Sequence, residues 1–180
     1  MADHGLDRFY GAIRDVPDFP EPGIVFKDIT PLLQDPDLLK GCLTHMTDAF
    51  ATARVEKVLA IESRGFIFGA PVAAGLGAGL VLARKAGKLP WERHRVEYQL
   101  EYGTDVIEVH RDGFRPGERV LIVDDVLATG GTASAAVRAV RELGAEVVGC
   151  AFLIELGFLN GRDRLDGIES WSLLTYAPTG

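Results

Sequence analysis

Residues 120–132 read VLIVDDVLATGGT, and this stretch carries more structural information than any other part of the chain. Its apolar start, 120–123, predicts a strand that is buried on both faces. Thr132 is a favourable helix N-cap, and residues 133–143 predict a helix. Backbone N–H groups and hydroxyls of the turn 128–132 would then face one point at the positive end of that helix. The stretch therefore predicts a phosphate site between a strand and a helix.

Two adjacent carboxylates, Asp124 and Asp125, come directly after the apolar run. Beside a phosphate alone they would repel the ligand, so they indicate a ligand with vicinal hydroxyls or a hydrated divalent cation. A sugar phosphate places its phosphate in the turn and its ribose hydroxyls at the strand end. An ordinary strand–turn–helix is the alternative, but it leaves two carboxylates at the end of a buried strand without a purpose. The segment has neither a Walker loop nor the glycine spacing of a dinucleotide site.

The whole chain has the composition of an ordinary globular protein, with 180 residues, 47% of them hydrophobic, and a net charge of −7. The length predicts one domain, 1–180. The negative charge argues against nucleic acid or an anionic membrane as the main partner. Because no signal segment opens the chain and no apolar run is long enough to span a bilayer, we expect a cytoplasmic protein. Cys42 and Cys150 are expected to be buried thiols.

Helix and strand patterns alternate along the chain, which predicts an α/β fold with a mostly parallel central sheet flanked by helices. Helical spacing covers 3–14, 36–50, 66–76 and 133–143, and strand patterns cover 58–61, 81–83, 120–123, 147–154 and 171–174. Residues 98–102 and 106–110 flank Gly103 and predict a pair of strands or one bent strand. Three prolines between 17 and 22 predict an extended, irregular arm. Residues 86–95 have the composition of a mobile surface loop.

Polar and charged residues follow several of these strands. They are Glu62, Ser63 and Arg64 after 58–61, Arg84 and Lys85 after 81–83, Asp124 and Asp125 after 120–123, and Glu155, followed by the apolar Leu156, after 147–154. Ligands of parallel sheets bind beyond the carboxyl ends of the strands. Topology alone therefore predicts one site at this edge, and the cations Arg84, Lys85 and Lys88 suit a leaving group rich in phosphate.

The segment 123–132 resembles the phosphoribosyl-pyrophosphate binding motif of the type I phosphoribosyltransferases. Three other segments are similar to the adenine-specific branch of that family: FPEPGIVFKDI at 19–29, ESRGF at 62–66 and RKAGKLP at 84–90. The segment LEYG at 100–103 fits the same branch. The resemblance extends from about Asp7 to Tyr176.

This resemblance implies a type I phosphoribosyltransferase fold with a small N-terminal arm and base-binding hood (1–34), a core (35–180) and a mobile active-site loop at about 86–99. It also implies that adenine and phosphoribosyl pyrophosphate react to give AMP and pyrophosphate, a step of purine salvage. Magnesium would arrive on substrate oxygens, with a water-mediated contact to Asp124 or Asp125 rather than a protein cage. The family also implies a homodimer.

The same resemblance assigns ligand contacts to named residues. Pyrophosphate would contact Ser63, Arg64, Arg84, Lys85 and Lys88, some of them from the neighbouring subunit. The 5′-phosphate would contact Ala128, Thr129, Gly130, Gly131 and Thr132. Adenine would lie between Val25, Phe26 and Lys27 on one face and Leu156 on the other. The family often has arginine at the position of Lys27. A backbone contact there would tolerate lysine, whereas a side-chain contact would change affinity because lysine lacks the planar guanidinium.

Glu101 is the candidate general acid, since the family uses the glutamate of its LEYG segment beside the purine ring. Acting as an acid at neutral pH requires a raised pKa, which closure of the loop would provide by removing water. Tyr102 is expected to close over the reaction centre. Closure of 86–99 would also exclude water from an anomeric centre with oxocarbenium character.

Three other functions fit parts of the pattern. A phosphoribosyltransferase for xanthine, guanine or orotate would share the phosphate site, and only the hood and the LEYG segment argue against it. A regulator that keeps the site as a sensor would need a partner or nucleic acid, which the acidic charge disfavours. A sugar-phosphate binding protein without catalysis would not need Glu101 and Arg64.

Overall fold

The computed structural model describes residues 5–99 and 103–177, so Glu101 and Tyr102 lie outside the described residues. The chain divides into two compact units, Met1–Thr44 and His45–Gly180. The sequence position of this boundary falls within one helix, Pro36–Ala49. No helix in the described part of the chain is long and apolar enough to cross a membrane.

The N-terminal unit contains a hairpin where the sequence predicts an irregular arm. Helix α1 is Asp7–Gly11, strands β1 and β2 are Arg14–Pro17 and Val25–Asp28, and helices α2 and α3 are Thr30–Gln34 and Pro36–Ala49. The predicted helix 3–14 is therefore wrong in its length, because a strand begins at Arg14. The hairpin turn is closed locally, since the Asp18 carboxylate accepts a hydrogen bond of 2.8 Å from the Gly23 N–H. Gly23 has a φ of +89°, a conformation that favours glycine.

The second unit contains a seven-stranded sheet flanked by two helices. Its strands are β3 Lys57–Ile61, β4 Gly79–Lys85, β5 Arg93–Gln99, β6 Thr104–His110, β7 Arg119–Leu127, β8 Glu146–Leu156 and β9 Ser170–Tyr176; its helices are α4 Gly65–Leu76 and α5 Gly131–Glu142, with 3₁₀ helices at Gly157–Leu159 and Gly161–Leu165. The strand order is β5-β6-β4-β3-β7-β8-β9. The pairs β4–β3, β3–β7, β7–β8 and β8–β9 are parallel. Strands β6 and β5 pair antiparallel beyond β4. This confirms the predicted α/β class.

Buried small and branched residues hold the helices against the sheet. The β7 residues 120–123 are fully buried, as the apolar run predicts. Helix α5 presents Ala135, Ala136 and Val140 to the same core. Helix α4 approaches β3 so closely that a Cβ atom on Gly69 would lie 2.4 Å from the Ala60 side chain. A larger residue at either position would push the helix that begins beside the site away from the sheet.

Three predicted boundaries near the site are wrong. Strand β7 continues to Leu127 because β8 pairs with it beyond the aspartates, so Asp124 and Asp125 lie within the strand rather than after it. Helix α5 starts at Gly131 after Gly130, and Thr132 is inside the helix instead of capping it. Strand β5 occupies part of the predicted loop 86–99, which leaves only 86–92 outside regular structure.

Candidate active site

The carboxyl ends of four parallel strands bring the predicted site residues to one edge of the sheet. Four neighbouring strands carry these residues at their carboxyl ends. They are β4 with Arg84 and Lys85, β3 followed by Glu62 and its turn, β7 from Asp124 onward, and β8 with Glu155 and Leu156. Parallel pairing requires these ends to lie on the same side. The sequence therefore predicted correctly which residues share this edge.

The turn 128–132 connects β7 to α5 and has the geometry of an anion site. Gly130 has a φ of +80° and takes the N-cap position without a side-chain hydrogen bond. Its carbonyl accepts a 2.9 Å bond from the Ser134 N–H, which closes the first turn of the helix. The N–H groups at a helix start have no partners within the helix. This turn, from here called the phosphate turn, can therefore present backbone donors and a positive dipole to an anion.

Strand β5 lies along helix α5 beside the phosphate turn. His94 Nε2 lies 2.6 Å from Glu142 Oε2 near one end of the helix, and Arg138 donates to the Glu97 carbonyl. A Cβ atom on Gly131 would lie 3.1 Å from the Gln99 carbonyl oxygen, so the strand meets the helix start. An open cleft of about 450 Å³ remains there, lined by residues that include Tyr98, Thr104, Ser134 and Arg164. Part of the predicted loop 86–99 thus lies beside the phosphate turn as a strand.

The two aspartates of β7 have different electrostatic environments. Asp125 is 5% exposed and forms an ion pair with Arg64, which projects from the turn after β3. Burial raises the pKa of Asp124 well above its ordinary value, and the neighbouring Asp125 charge raises it further. The Asp125 N–H donates a 2.8 Å bond to Asp124 Oδ1. Asp125 therefore pairs with Arg64, whereas the carboxyl group of Asp124 has a pKa that burial and the Asp125 charge raise.

The turn at 62–65 packs directly against the aspartates. A Cβ atom on Gly65 would lie 2.9 Å from both Asp124 Oδ1 and the Val123 carbonyl oxygen, so only glycine allows this approach. The Glu62–Ser63 peptide bond is cis, and Ser63 and Arg64 are exposed. Arg64, the carboxylates Asp124 and Asp125, and the exposed turn at 62–65 therefore lie next to one another.

Glu62 joins the turn at 62–65 to the cations of β4. Its carboxylate accepts bonds of 3.3 and 3.1 Å from Nε and Nη2 of Arg84, and one of 2.8 Å from the Lys85 N–H. The hydrogen bond from Arg84 lowers the pKa of Glu62, so the carboxylate stays charged. Arg84 Nη1 also donates a 3.2 Å bond to the Lys88 carbonyl. The end of β4 with Lys85 and the following loop with Lys88 are therefore held at the end of β3.

Glu108 on β6 is a second carboxylate that holds this loop. It is 1% exposed and accepts bonds from the Gly87 N–H at 2.8 Å and from Arg93 Nε at 3.0 Å. Arg95 Nε lies 3.4 Å from the same oxygen as Arg93. A buried carboxylate is stable when charged donors surround it in this way. Glu108 thus holds the cationic loop from β6, whereas Glu62 holds it from the end of β3 on the other side of β4.

Comparison with known proteins identifies the family of this site. The Phosphoribosyl transferase domain family matches residues 32–171. An adenine phosphoribosyltransferase of Anaeromyxobacter dehalogenans is 56% identical over 171 residues, which cover 95% of this chain and 99% of the relative. The crystal structure of the Rhodothermus marinus adenine phosphoribosyltransferase superposes with a TM-score of 0.91 at 54% identity, covering 95% of this chain and 98% of that one. The chain belongs to the adenine phosphoribosyltransferase family.

A more distant member of the adenine phosphoribosyltransferase family has been solved with ligands. The Saccharomyces cerevisiae enzyme is 38% identical, covers 93% of this chain and 97% of its own, and has a TM-score of 0.87. Its structure is complexed with adenine and an imino-altritol bisphosphate. The family resemblance inferred from the sequence segments is therefore confirmed.

The residues that the family resemblance places against adenine lie in both units. In the N-terminal unit, strand β2 carries Val25, Phe26 and Lys27, and the Phe26 ring meets Phe19 edge-to-face at 5.2 Å. Lys27 Nζ donates a 2.6 Å bond to Asp15 on β1, so its ammonium group stabilises the hairpin. In the second unit, Leu156 ends β8 and pairs with Tyr176 of β9.

Sequence reasoning placed Glu62 at this end of the sheet but did not predict that Glu62 and Glu108 hold the cations there. Their partners lie more than twenty residues away, at separations of 22 for Arg84 and 21 for Gly87. Only the strand register brings them together, as Arg95 opposite Glu108 illustrates. For Glu108 the available signal was charge, because a carboxylate between Ile107 and Val109 requires a buried partner.

Proposed function

We propose that this protein transfers the 5-phosphoribosyl group from phosphoribosyl pyrophosphate to adenine, giving AMP and pyrophosphate in purine salvage. The observation that carries the proposal is the arrangement at the strand ends. There the phosphate turn, the carboxylates of β7 and the cations of β3 and β4 lie along one edge, in a chain 56% identical to an adenine phosphoribosyltransferase. A phosphate site, a ribose site and a pyrophosphate site in that order match the substrate from end to end.

The phosphate turn binds the 5′-phosphate in this proposal. Donors come from the backbone of Ala128, Thr129, Gly130, Gly131 and Thr132 and from the two threonine hydroxyls. Anions at a helix start gain from unpaired N–H groups and from the helix dipole together. The turn itself contains no cation, so its shape and the direction of its donors set this subsite, with the Arg164 guanidinium beside Gly131.

Asp124 and Asp125 serve the ribose and its metal. Among the described residues, no group of three or more histidine, cysteine, aspartate or glutamate side chains could hold a metal ion. In this proposal magnesium arrives on substrate oxygens and makes a water-mediated contact with Asp124 or Asp125. When bound, the ion would shield the charge of the pyrophosphate. Asp124 would accept hydrogen bonds from the ribose hydroxyls, since Asp125 already pairs with Arg64.

The cations at the β3 and β4 ends stabilise the leaving group. Breaking the bond to the anomeric carbon moves negative charge onto pyrophosphate, and Arg64, Lys85 and Lys88 with the Ser63 turn would offset it. Arg84 contributes indirectly, because its guanidinium is already bound to Glu62 and the Lys88 carbonyl. A homodimer is part of the proposal, in which Lys85 or Lys88 acts in the neighbouring site.

The adenine contacts in this proposal are those that the family resemblance assigns to strand β2 and to Leu156. Val25 is 48% exposed, which leaves an apolar side chain available for a flat ring. Since Lys27 already binds Asp15, its contact with the base would be through the backbone, and lysine in place of arginine would change affinity little. Hood (1–34) and core (35–180) are proposed to act as one catalytic domain.

Glu101 is proposed to exchange a proton with the purine ring nitrogen opposite the one that attacks, with Tyr102 closing over the centre. Positive charge develops on the purine during the displacement, and a nearby carboxyl group stabilises it. Both residues follow β5, which already lies along α5, and closure of this region would exclude water. The variant Glu101→Leu should lose most of the turnover with adenine; near-normal turnover would remove Glu101 from the mechanism.

The experiment that tests the function is AMP formation from labelled adenine, phosphoribosyl pyrophosphate and magnesium. Hypoxanthine, guanine, xanthine and orotate are assayed in parallel at the same concentration. Strong turnover with adenine alone is the expected result. Turnover with another base would reassign the specificity, and retained binding of phosphoribosyl pyrophosphate without turnover would favour a sensor protein.

A further inference from the structure

We infer that Gly161, in the 3₁₀ segment Gly161–Leu165 after β8, is a positioning residue that sets the shape of the phosphate turn. The inference rests on the proposed function, because it assumes that the turn binds the 5′-phosphate. Gly161 does not belong to any of the sequence segments that carry the family resemblance. Its role follows from backbone contacts that the fold creates.

Gly161 and Gly130 meet through their backbones. A Cβ atom on Gly161 would lie 2.2 Å from the Ala128 carbonyl oxygen and 3.0 Å from the Gly130 nitrogen. In the other direction, a Cβ atom on Gly130 would lie 2.3 Å from the Gly161 carbonyl oxygen. All of these neighbours are backbone atoms, so no side-chain rotation can relieve such a contact. The phosphate turn can take its shape only because both positions lack a side chain.

The two glycines are required for different reasons. Gly130 has a φ of +80°, so its backbone conformation already favours glycine. Gly161 does not appear among the residues of positive φ, and any L-residue could adopt its backbone conformation. A methyl group on Gly161 therefore changes the contact with the phosphate turn and leaves local backbone strain unchanged.

The rest of the segment prevents Gly161 from moving away. Arg162 donates from Nε and Nη2 to the Glu155 carboxylate, both at 2.6 Å, and from Nη1 to Ser170 Oγ at 2.8 Å. Leu165 is 1% exposed and belongs to the core beside α5. The segment is thus attached to β8, to β9 and to the core, and a methyl group on Gly161 would displace the phosphate turn instead.

Displacing the turn would affect one part of the ligand selectively. Hydrogen-bond strength falls steeply with distance and angle, so a shift of the Gly130 nitrogen weakens phosphate binding. Adenine and ribose contact other residues in the proposed function, so their affinity would remain. The affinity ratio of AMP to adenosine isolates this effect, because the two ligands differ only in the 5′-phosphate.

The test is calorimetric titration of AMP and adenosine into wild type, Gly161→Ala and the control Asp163→Ala. Asp163 is exposed in the same segment, so the control alters the segment without adding atoms beside the turn. We expect the AMP-to-adenosine affinity ratio to fall at least about tenfold in Gly161→Ala, or roughly 1.4 kcal/mol. It should stay at the wild-type value in Asp163→Ala.

Each outcome decides the inference. An unchanged ratio in folded Gly161→Ala overturns it and leaves the proposed function intact. A wild-type ratio near one overturns both, because the phosphate turn would then bind no phosphate. If Gly161→Ala does not fold, Arg162→Lys replaces it, since lysine loses the paired bonds to Glu155 but adds no bulk beside the turn. A ratio lowered at least about threefold in Arg162→Lys supports the inference, and a wild-type ratio overturns it.

Discussion

The two ends of the proposed substrate site are built in different ways. At the phosphate turn, backbone atoms would meet the ligand, and the backbone of a second segment lies against them at Gly161. At the ends of β3 and β4, cationic side chains would meet the ligand, and the carboxylates Glu62, Glu108 and Asp125 hold those cations or their loop. The phosphate turn depends on the absence of side-chain atoms at two glycines, and the ends of β3 and β4 depend on paired charges.

This difference suits the two groups that the ends would bind. The 5′-phosphate keeps its charge through the reaction, so a fixed set of N–H donors is sufficient. Pyrophosphate gains negative charge as it leaves, and cations stabilise that change most in the transition state. Variants that add volume should therefore impair the first end, and variants that remove charge should impair the second.

The largest effect is expected from Gly130→Ala. The new methyl group would meet the Gly161 carbonyl oxygen at 2.3 Å, and the residue would keep a positive φ that alanine disfavours. We expect kcat/KM for phosphoribosyl pyrophosphate to fall at least about a hundredfold, or roughly 2.7 kcal/mol. Initial rates at saturating adenine measure this. The control is Gly11→Ala, where no atom lies within 4 Å of the new methyl group. A loss below about threefold in Gly130→Ala would contradict the claim that added volume impairs the phosphate turn.

A smaller effect, of opposite origin, is expected from Glu62→Gln. The amide keeps the shape but loses the charge that holds Arg84 and orients the Lys85 backbone. KM for phosphoribosyl pyrophosphate should rise about tenfold, and product inhibition by pyrophosphate should weaken by a similar factor. Glu56→Gln is the matched control, because Glu56 accepts the Arg119 N–H at the opposite edge of the sheet. An equal rise in both variants would mean that the effect is general.

Glu108→Gln should affect the same end more weakly, since Glu108 holds the loop through Gly87 and does not touch the end of β3. We expect KM for phosphoribosyl pyrophosphate to rise about threefold. The protein should also lose about 1–3 kcal/mol of stability, because Arg93 and Arg95 lose a buried charged partner. Steady-state kinetics and urea unfolding measure the two effects. Loss of stability with an unchanged KM would limit Glu108 to a structural role.

The smallest effect concerns the stability of the free protein. The raised pKa of Asp124 means that the folded state binds a proton more tightly than the unfolded state. This contribution to stability is present below the ordinary aspartate pKa and is lost as the pH rises towards the raised value. Asp124→Asn has no carboxyl group to ionise at this position, so its Tm should exceed that of wild type at pH 7. Each kcal/mol of unfolding free energy regained corresponds to roughly 2–4 °C in Tm. The difference should close at about pH 4, near the ordinary aspartate pKa. Equal differences at both pH values would contradict the assignment.

The core of the fold was predictable because its strands are continuous apolar runs. The runs at 120–123 and 147–154 predict buried strands, and both lie inside β7 and β8. The N-terminal hairpin was not predictable in the same way. Its strands are four residues long, β1 is mostly exposed and β2 mostly half-buried, and both lie near prolines, so no alternation of apolar residues marks them.

The site was predictable where residue type alone identifies chemistry, as for the aspartates of β7 and the cations of β4. It was not predictable where a distant segment decides the local structure. Thr132 has the better intrinsic N-cap propensity, yet Gly130 takes that position beside the Gly161 backbone. Local preference therefore gave way to a contact between two residues that are far apart in the sequence, Gly130 and Gly161.

The most direct test of the central claim is separate binding of ribose 5-phosphate and magnesium pyrophosphate to wild type, Gly130→Ala and Glu62→Gln by calorimetry. The two ligands each occupy one end of the proposed site. We predict that Gly130→Ala loses affinity for ribose 5-phosphate but binds magnesium pyrophosphate normally, and that Glu62→Gln shows the reverse. Equal loss of both ligands in both variants would contradict two separately built ends.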